Sequence, residues 1–121
     1  MTPKKSIIWM GGSRSDLSDM PDAVRKDFGG ALHGVQQGRT PTDAKPLKGK
    51  VKGAVQLSED HDGETYRAVY TIELEGVLYV LHCFQKKSKS GIATPQADID
   101  LIERRLKDAR TLHAQRQRKT P

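Results

Sequence analysis

The sequence is poor in cysteine, in aromatic residues and in long apolar runs. Its single cysteine, Cys83, cannot form a disulfide within the chain, and a reducing cytoplasm is therefore the expected location. Aromatic residues make up 5% of the chain and hydrophobic residues 35%, which indicates a lean core. No apolar run approaches the roughly 20 residues that a membrane-spanning helix requires, so no contact with a membrane is expected.

The chain also lacks the motifs of several common enzyme classes. The pair Gly11-Gly12 does not continue into a phosphate-binding fingerprint, so residues 11–16 are expected to form a loop. The histidines and Cys83 show no close metal-ligand spacing, and neither GxSxG nor HExxH occurs. We therefore expect neither a metal nor a cofactor.

Positive charge is abundant. Lysine and arginine number 21 against 15 acidic residues, which gives a net charge of +6 and a pI near 9.6. The excess is concentrated in residues 45–52, 86–89 and 104–119. An anionic partner is expected, with nucleic acid first and an acidic protein second, although a basic surface can also serve solubility alone.

The centre of the chain is a predicted β-hairpin. Two runs rich in β-branched and aromatic residues, within 66–70 and 77–84, flank a short turn at Glu75-Gly76. The second run ends in a basic segment that contains Lys86, Lys87 and Lys89. A strand end would hold these cations rigidly, which suits phosphate chemistry.

The remaining pattern predicts further elements on both sides of the hairpin. A strand is expected at 7–10, a helix from Pro21 that stops at Gly38, a connection over 39–50, a strand over 51–57 and a polar turn over 58–64. Thr94-Pro95 is expected to cap and open a last helix, which frays from Gln115 onwards. Apolar stripes support the two helices, formed by Val24, Phe28, Leu32 and Val35 and by Ile99, Ile102, Leu106, Ala109 and Leu112.

The order strand, helix, three strands, helix defines the fold class. Three strands joined by short turns imply a small, mainly antiparallel sheet with helices packed against it, so we predict a single α+β domain over residues 1–121. Residues 115–121 would be its frayed basic tail.

Five segments carry a resemblance to a known family. They read PLKG at 46–49, GETYRAVY at 63–70, VLHCFQKKSKSGI at 80–92, TP at 94–95 and DIDLIERRL at 98–106. In this order they resemble the RelE/ParE toxin superfamily, most closely the HigB-like, phage-derived branch of bacterial type II toxin–antitoxin systems. The resemblance implies a RelE-like fold.

The resemblance also implies a function. Such toxins look like metal-free endoribonucleases that cut mRNA in the ribosomal A site and are silenced by an antitoxin, often of the helix-turn-helix type. In the implied reaction a 2′-OH attacks the adjacent phosphate and the 5′-oxygen leaves, which requires proton transfer and cations around the phosphorane. The expected partners are therefore the antitoxin, the ribosome and mRNA.

The chemistry of the side chains suggests which residues carry out this reaction. Arg67 can clamp phosphate oxygens, Lys86 and Lys87 can neutralise developing charge or shuttle a proton, and His82 can assist proton transfer. We expect RNA to be bound by Lys48, Lys50, Lys89 and Tyr70.

Each assignment has a structural alternative. Arg67 can be a solvated strand residue or pair with Glu73 or Glu75, the lysines can form a solvated strand cap, and His82 can be a packed histidine. The three tyrosines, Tyr66, Tyr70 and Tyr79, equally suit packing in a sheet. Alternation places Arg67 and Tyr70 on opposite faces unless a bulge intervenes, and it does not say which face is the core.

One departure from the family pattern is visible. Many relatives look like Glu-Leu-Arg where this chain has Gln56-Leu57-Ser58. Two other functions therefore stay open: a ParE-like inhibitor of DNA gyrase, and a module that binds nucleic acid or a partner without catalysis.

Overall fold

One mixed sheet and three helices make up the part of the chain that the computed structural model describes, residues 4–86 and 94–118. The strands are β1 (Ser6–Trp9), β2 (Lys45–Pro46), β3 (Val55–His61), β4 (Glu64–Thr71) and β5 (Val77–Lys86). The helices are α1 (Ser13–Ser18), α2 (Asp22–Gln36) and α3 (Gln96–Arg118), and a 3₁₀ turn covers Gly49–Val51. The predicted α+β class is confirmed.

The sheet has the strand order β1-β5-β4-β3-β2. Strands β2 to β5 pair antiparallel, whereas β1 runs parallel to β5, with Ser6 opposite Val77 and Trp9 opposite Val80. The sheet is therefore mainly antiparallel, as predicted, and the first strand lies beside the last.

The turn between β3 and β4 is tighter than the predicted span of 58–64. Asp62 and Gly63 form it with φ angles of 50° and 78°, the left-handed conformation that a two-residue hairpin turn requires. Residues 58–61 belong to β3, because their polar side chains alternate along a strand that β4 pairs as far as His61 opposite Glu64. The strand predicted over 51–57 begins at Val55 in the structure, so its predicted start is wrong.

Helix α2 matches its prediction closely. Pro21 stands just before the first helical residue, Gly38 follows the helix with φ of 90°, and the predicted apolar stripe is buried. The loop predicted over 11–16 is wrong in part, because α1 begins at Ser13. The buried Ser13 hydroxyl donates to the Val80 carbonyl at 3.2 Å and anchors this short helix to β5.

Helix α3 differs from its prediction at both ends. Thr94 does not cap it; the Pro95 carbonyl instead accepts the amides of Asp98 and Ile99 at 3.1 Å each. The predicted fraying from Gln115 is wrong up to Arg118, the last helical residue. His113 holds this end of α3 to the sheet, since its Nδ1 lies 2.9 Å from the Tyr79 hydroxyl.

Helices cover both faces of the sheet and create two cores. The α2 face buries twelve residues: Leu17, Met20, Val24, Phe28, Leu32, Val35, Leu57, Ala68, Tyr70, Leu78, Val80 and Cys83. The α3 face buries Val51, Ala54, Val69, Val77, Tyr79, Leu81, Phe84, Ile102, Leu106 and Ala109. None of the helices in the described ranges has the length and apolar character needed to cross a membrane.

A carboxyl cluster on the α2 face makes stability depend on pH. Burial, together with Asp27 and Asp43, raises the pKa of Glu59 from 4.5 to about 7. Because folding raises this pKa, the folded chain binds the proton more tightly, and stability falls as pH rises between these two values. We expect Glu59→Gln to raise the free energy of unfolding by on the order of 1–3 kcal/mol at about pH 8.5 and to have little effect near about pH 4.

Urea unfolding at the two pH values measures this effect. Glu75→Gln is the matched control, because Glu75 is an exposed residue of the β4–β5 connection. An equal gain from both substitutions, or a gain at low pH only, would contradict the assignment.

Candidate nucleic-acid and partner interface

Arg67 projects from β4 onto the α3 face of the sheet. It lies opposite Ser58 of β3 and Phe84 of β5, and it is only 5% exposed. The structure thus shows on which face of the sheet Arg67 lies, which the alternation of the sequence leaves open. Arg67 is not the solvated strand residue that the sequence also allowed.

A chain of hydrogen bonds fixes the Arg67 guanidinium. Its Nη1 donates to the Thr94 hydroxyl at 2.7 Å, and that hydroxyl donates to Oε1 of Gln56 at 3.0 Å. Burial lowers the pKa of Arg67, while the charge of Asp98 opposes this shift. An arginine stays protonated in proteins, so the result is a rigidly held, partly desolvated cation.

A basic cleft opens beside the Thr94–Gln56 pair. This cleft, of about 390 Å³, is lined by Lys45, Leu47, Lys48, Gln56, Thr94 and Ile99, among others. Lys48, predicted to bind RNA, is exposed on its rim, whereas Lys50 is exposed on the neighbouring 3₁₀ turn. The fold therefore brings Lys48 close to the group that holds Arg67.

The predicted lysine cluster is only partly described. Lys86 is the last residue of β5, is 7% exposed and lies opposite Thr65 of β4. Lys86 is therefore not the solvated strand cap that the sequence also allowed, because β5 runs through it. By alternation Lys86 shares the α3 face with Phe84 and so with Arg67. Lys87 and Lys89 lie outside the described residues.

His82 belongs to a pair that involves α3. Its Nε2 lies 2.8 Å from Oδ1 of Asp98, and its ring stacks on Phe84 with centroids 4.4 Å apart. Asp98 thus pairs with the imidazole, and its charge also acts on Arg67. The sequence gives no sign of this contact, because no spacing along the chain relates Asp98 to His82.

A bulge in β5 gives His82 its position. Val69 pairs with His82 and Tyr70 with Val80, so Leu81 has no partner in β4. The extra residue restarts the alternation of β5, and both Leu81 and His82 face α3. Alternation in β4 is kept, and Tyr70 remains on the other face from Arg67.

Tyr70 and Cys83 occupy the core of the α2 face. Tyr70 is 2% exposed, which does not suit the base-stacking role predicted for it, and burial raises its pKa. Burial, with the nearby charge of Asp16, raises the pKa of Cys83 to about 12, so the thiol stays protonated at neutral pH. Within the described ranges, no three histidine, cysteine, aspartate or glutamate side chains lie close enough together to hold a metal ion.

A second depression, the edge groove, lies on the other side of the start of α3. It has a volume of about 630 Å³, and its lining includes Asp16, Asp19, Met20, His82, Phe84 and Asp98. The start of α3 therefore separates a cleft lined by lysines from a groove lined by aspartates.

Comparisons with known proteins agree with this architecture. A family model described as phage derived protein Gp49-like matches residues 15–107. A chain of the toxin–antitoxin complex RelBE2 from Mycobacterium tuberculosis is similar with a TM-score of 0.50 and 17% identity, over 66% of this chain and 95% of that one. A mutant of the E. coli toxin RelE in the free state is similar with a TM-score of 0.54 and 16% identity, over 71% of this chain and 87% of that one. No curated protein is similar enough to count as a match.

Proposed function

This chain belongs to the phage-derived Gp49-like family, and from that membership we propose that it is the toxin of a type II toxin–antitoxin system that cleaves translated mRNA. The predicted place in the RelE/ParE superfamily is confirmed by the family model and by the fold shared with RelE. One structural relative comes from a toxin–antitoxin complex, which supports an antitoxin as the partner. Cleavage of mRNA on the ribosome, a HigB-like subtype and a helix-turn-helix antitoxin are parts of the proposal.

The observation that carries the proposal is the fixed Arg67 guanidinium beside the basic cleft. A cation held by Thr94, whose hydroxyl is itself held by Gln56, needs little rearrangement when negative charge develops on a phosphorane. Lys48 on the cleft rim can hold the neighbouring phosphate, and Lys50 extends the same basic surface.

The proposed reaction is transesterification of the RNA strand. The 2′-oxygen bonds to the adjacent phosphorus, the bond from phosphorus to the 5′-oxygen breaks, and one proton passes from the 2′-OH to the leaving oxygen through protein groups. Arg67 and Lys86 stabilise the phosphorane charge in this scheme. The predicted role of His82 in proton transfer stays a prediction, because its ring pairs with Asp98 and lines the edge groove rather than the basic cleft. Lys87 and Lys89 keep their predicted roles as proposals.

Mapping of mRNA 5′ ends by primer extension, after induced expression in a bacterium, tests the proposal. We expect new ends within translated messages together with growth arrest. The matched control is the same message without a start codon, which should stay intact because cleavage requires translation.

Other outcomes decide between the alternatives. Growth arrest without cuts, accompanied by altered plasmid supercoiling, would favour gyrase inhibition. The absence of both growth arrest and cuts would contradict the toxin proposal and leave a binding module. Ser58 lies opposite Arg67, where relatives often carry a basic residue, and would then be the first position to restore. Cuts in the message that lacks a start codon would contradict the dependence on ribosomes.

A further inference from the structure

Strand β5 extends beyond the strand that covers its outer edge. The pairing with β1 ends at Val80, whereas β5 continues to Lys86, and no other strand in the described ranges pairs along this side. Arg105 of α3 donates to the Leu81 carbonyl at 2.9 Å and closes the edge at that point. Farther along, no backbone hydrogen bond between described residues covers this side of the strand, and such an open edge is a template for another strand.

The edge groove lies along this open part of β5. Its lining includes four consecutive β5 residues, His82 to Gln85, with Asp16, Asp19 and Met20 from α1 and the connection that follows it, and with Asp98 from α3. Apolar and acidic side chains thus flank a strand edge with which no strand in the described ranges pairs. This combination suits an extended peptide, since the main chain pairs with the edge while side chains meet both kinds of surface.

The charge of the edge groove is opposite to that of the protein. Among the described residues its lining holds three aspartates and neither lysine nor arginine, although the chain carries a net charge of +6. Phosphate groups are repelled by such a surface, whereas a cationic segment is attracted to it.

A buried hydrogen-bonding atom in the groove lacks a partner among the described residues. The His82 side chain is 8% exposed, and its Nδ1 has no hydrogen-bond partner within the described part of the chain. When Nε2–H donates to Asp98, the neutral ring leaves Nδ1 as an acceptor. An N–H donor from a bound segment would satisfy it.

We propose that the edge groove binds an extended, cationic segment of a partner protein, which adds a strand to the open edge of β5 beyond Val80. Lysine or arginine side chains of this segment meet Asp16 and Asp19, and one N–H donor reaches His82 Nδ1. This docking does not depend on RNA cleavage, and it is measured without RNA.

The probe is a short fluorescein-labelled peptide of alternating lysine and valine, titrated into the full chain and followed by fluorescence anisotropy. We expect binding that weakens with salt, and a loss of about tenfold in affinity for the double variant Asp16→Asn/Asp19→Asn. The matched control is Asp60→Asn/Asp62→Asn, which removes the same charge at exposed residues of the β3–β4 hairpin and should keep the affinity. Amide hydrogen exchange of residues 82–86 should slow when the peptide binds.

Three results would overturn the proposal. An equal loss in both double variants would show general attraction to acidic charge, and unchanged exchange in residues 82–86 would show that no strand is added. Equal binding of a peptide with glutamate in place of lysine would show that charge does not select the partner. Because no RNA is present, failure here leaves the proposed endonuclease untouched, and failure of the endonuclease test leaves this docking untouched.

Discussion

Replacing Arg67 by alanine is expected to reduce cleavage of translated messages by at least about 100-fold. The side chain is 5% exposed on the α3 face and is fixed by Thr94 beside the basic cleft. Its loss removes the cation that is already in place when charge develops on the phosphorane. The measurement is the rate at which new mRNA 5′ ends appear after induction, normalised to the amount of protein.

Two further substitutions separate the guanidinium from its surroundings. Arg67→Lys keeps the charge but loses the planar fork, so most of the activity should also be lost. Thr94→Val keeps the guanidinium and removes the hydroxyl that holds it, and a smaller decrease is expected. Arg14→Ala removes an exposed arginine from α1 and should leave cleavage unchanged.

A folded Arg67→Ala variant that cleaves like the wild type would remove Arg67 from the reaction. Folding is checked by circular dichroism and thermal unfolding, because Arg67 is buried and its truncation also leaves Thr94 with one hydrogen bond fewer. If Arg67→Ala is both unfolded and inactive, the activity of Arg67→Lys decides instead whether Arg67 takes part in the reaction.

Replacing Phe28 by alanine is expected to lower the free energy of unfolding by about 3–5 kcal/mol. Phe28 is 3% exposed and packs α2 against the sheet. The next two residues, Gly29 and Gly30, each weaken the helix by up to about 1 kcal/mol relative to alanine. Helix α2 therefore depends on packing, and removal of its aromatic anchor leaves a cavity that local helix propensity cannot offset.

Urea unfolding followed by circular dichroism measures this loss. Ile72→Ala is the matched control, since Ile72 is a large apolar residue that is 42% exposed, and it should cost less than about 1 kcal/mol. If the two substitutions cost the same, the core of the α2 face does not hold this helix as described.

The periodic parts of the chain could be predicted from sequence because periodicity reports burial directly. The predicted stripe of α2 is buried, Ile102, Leu106 and Ala109 of the α3 stripe are buried, and the two apolar runs form β4 and β5. Polar stretches carry no such signal. Residues 58–61 join β3 only because β4 pairs with them, and Ser13 begins a helix that is fixed by a carbonyl 67 positions away.

The candidate site could be predicted less completely, because its contacts join distant parts of the chain. The strand pattern and the family resemblance singled out Arg67, and the predicted RNA-binding residue Lys48 is exposed on the rim of the basic cleft. Gln56 lies in β3, whereas Thr94 and Asp98 lie just before and within α3, and only the folded chain brings them together around Arg67 and His82. The bulge at Leu81 depends on the pairing of β5 with β4, so the sheet face on which His82 lies could not be predicted from the sequence either.

The parallel pairing of β1 with β5 has a consequence for how the chain folds during synthesis. Ser6 must find Val77, which is 71 positions later in the chain. Closing so long a loop is slow, and the hairpin of β4 and β5 can form earlier from contacts close in sequence. Until β1 docks, the outer edge of β5 lacks a partner strand along its whole described length, rather than only beyond Val80. A newly made chain therefore passes through a stage in which an edge-binding partner has its widest access, before the sheet is complete.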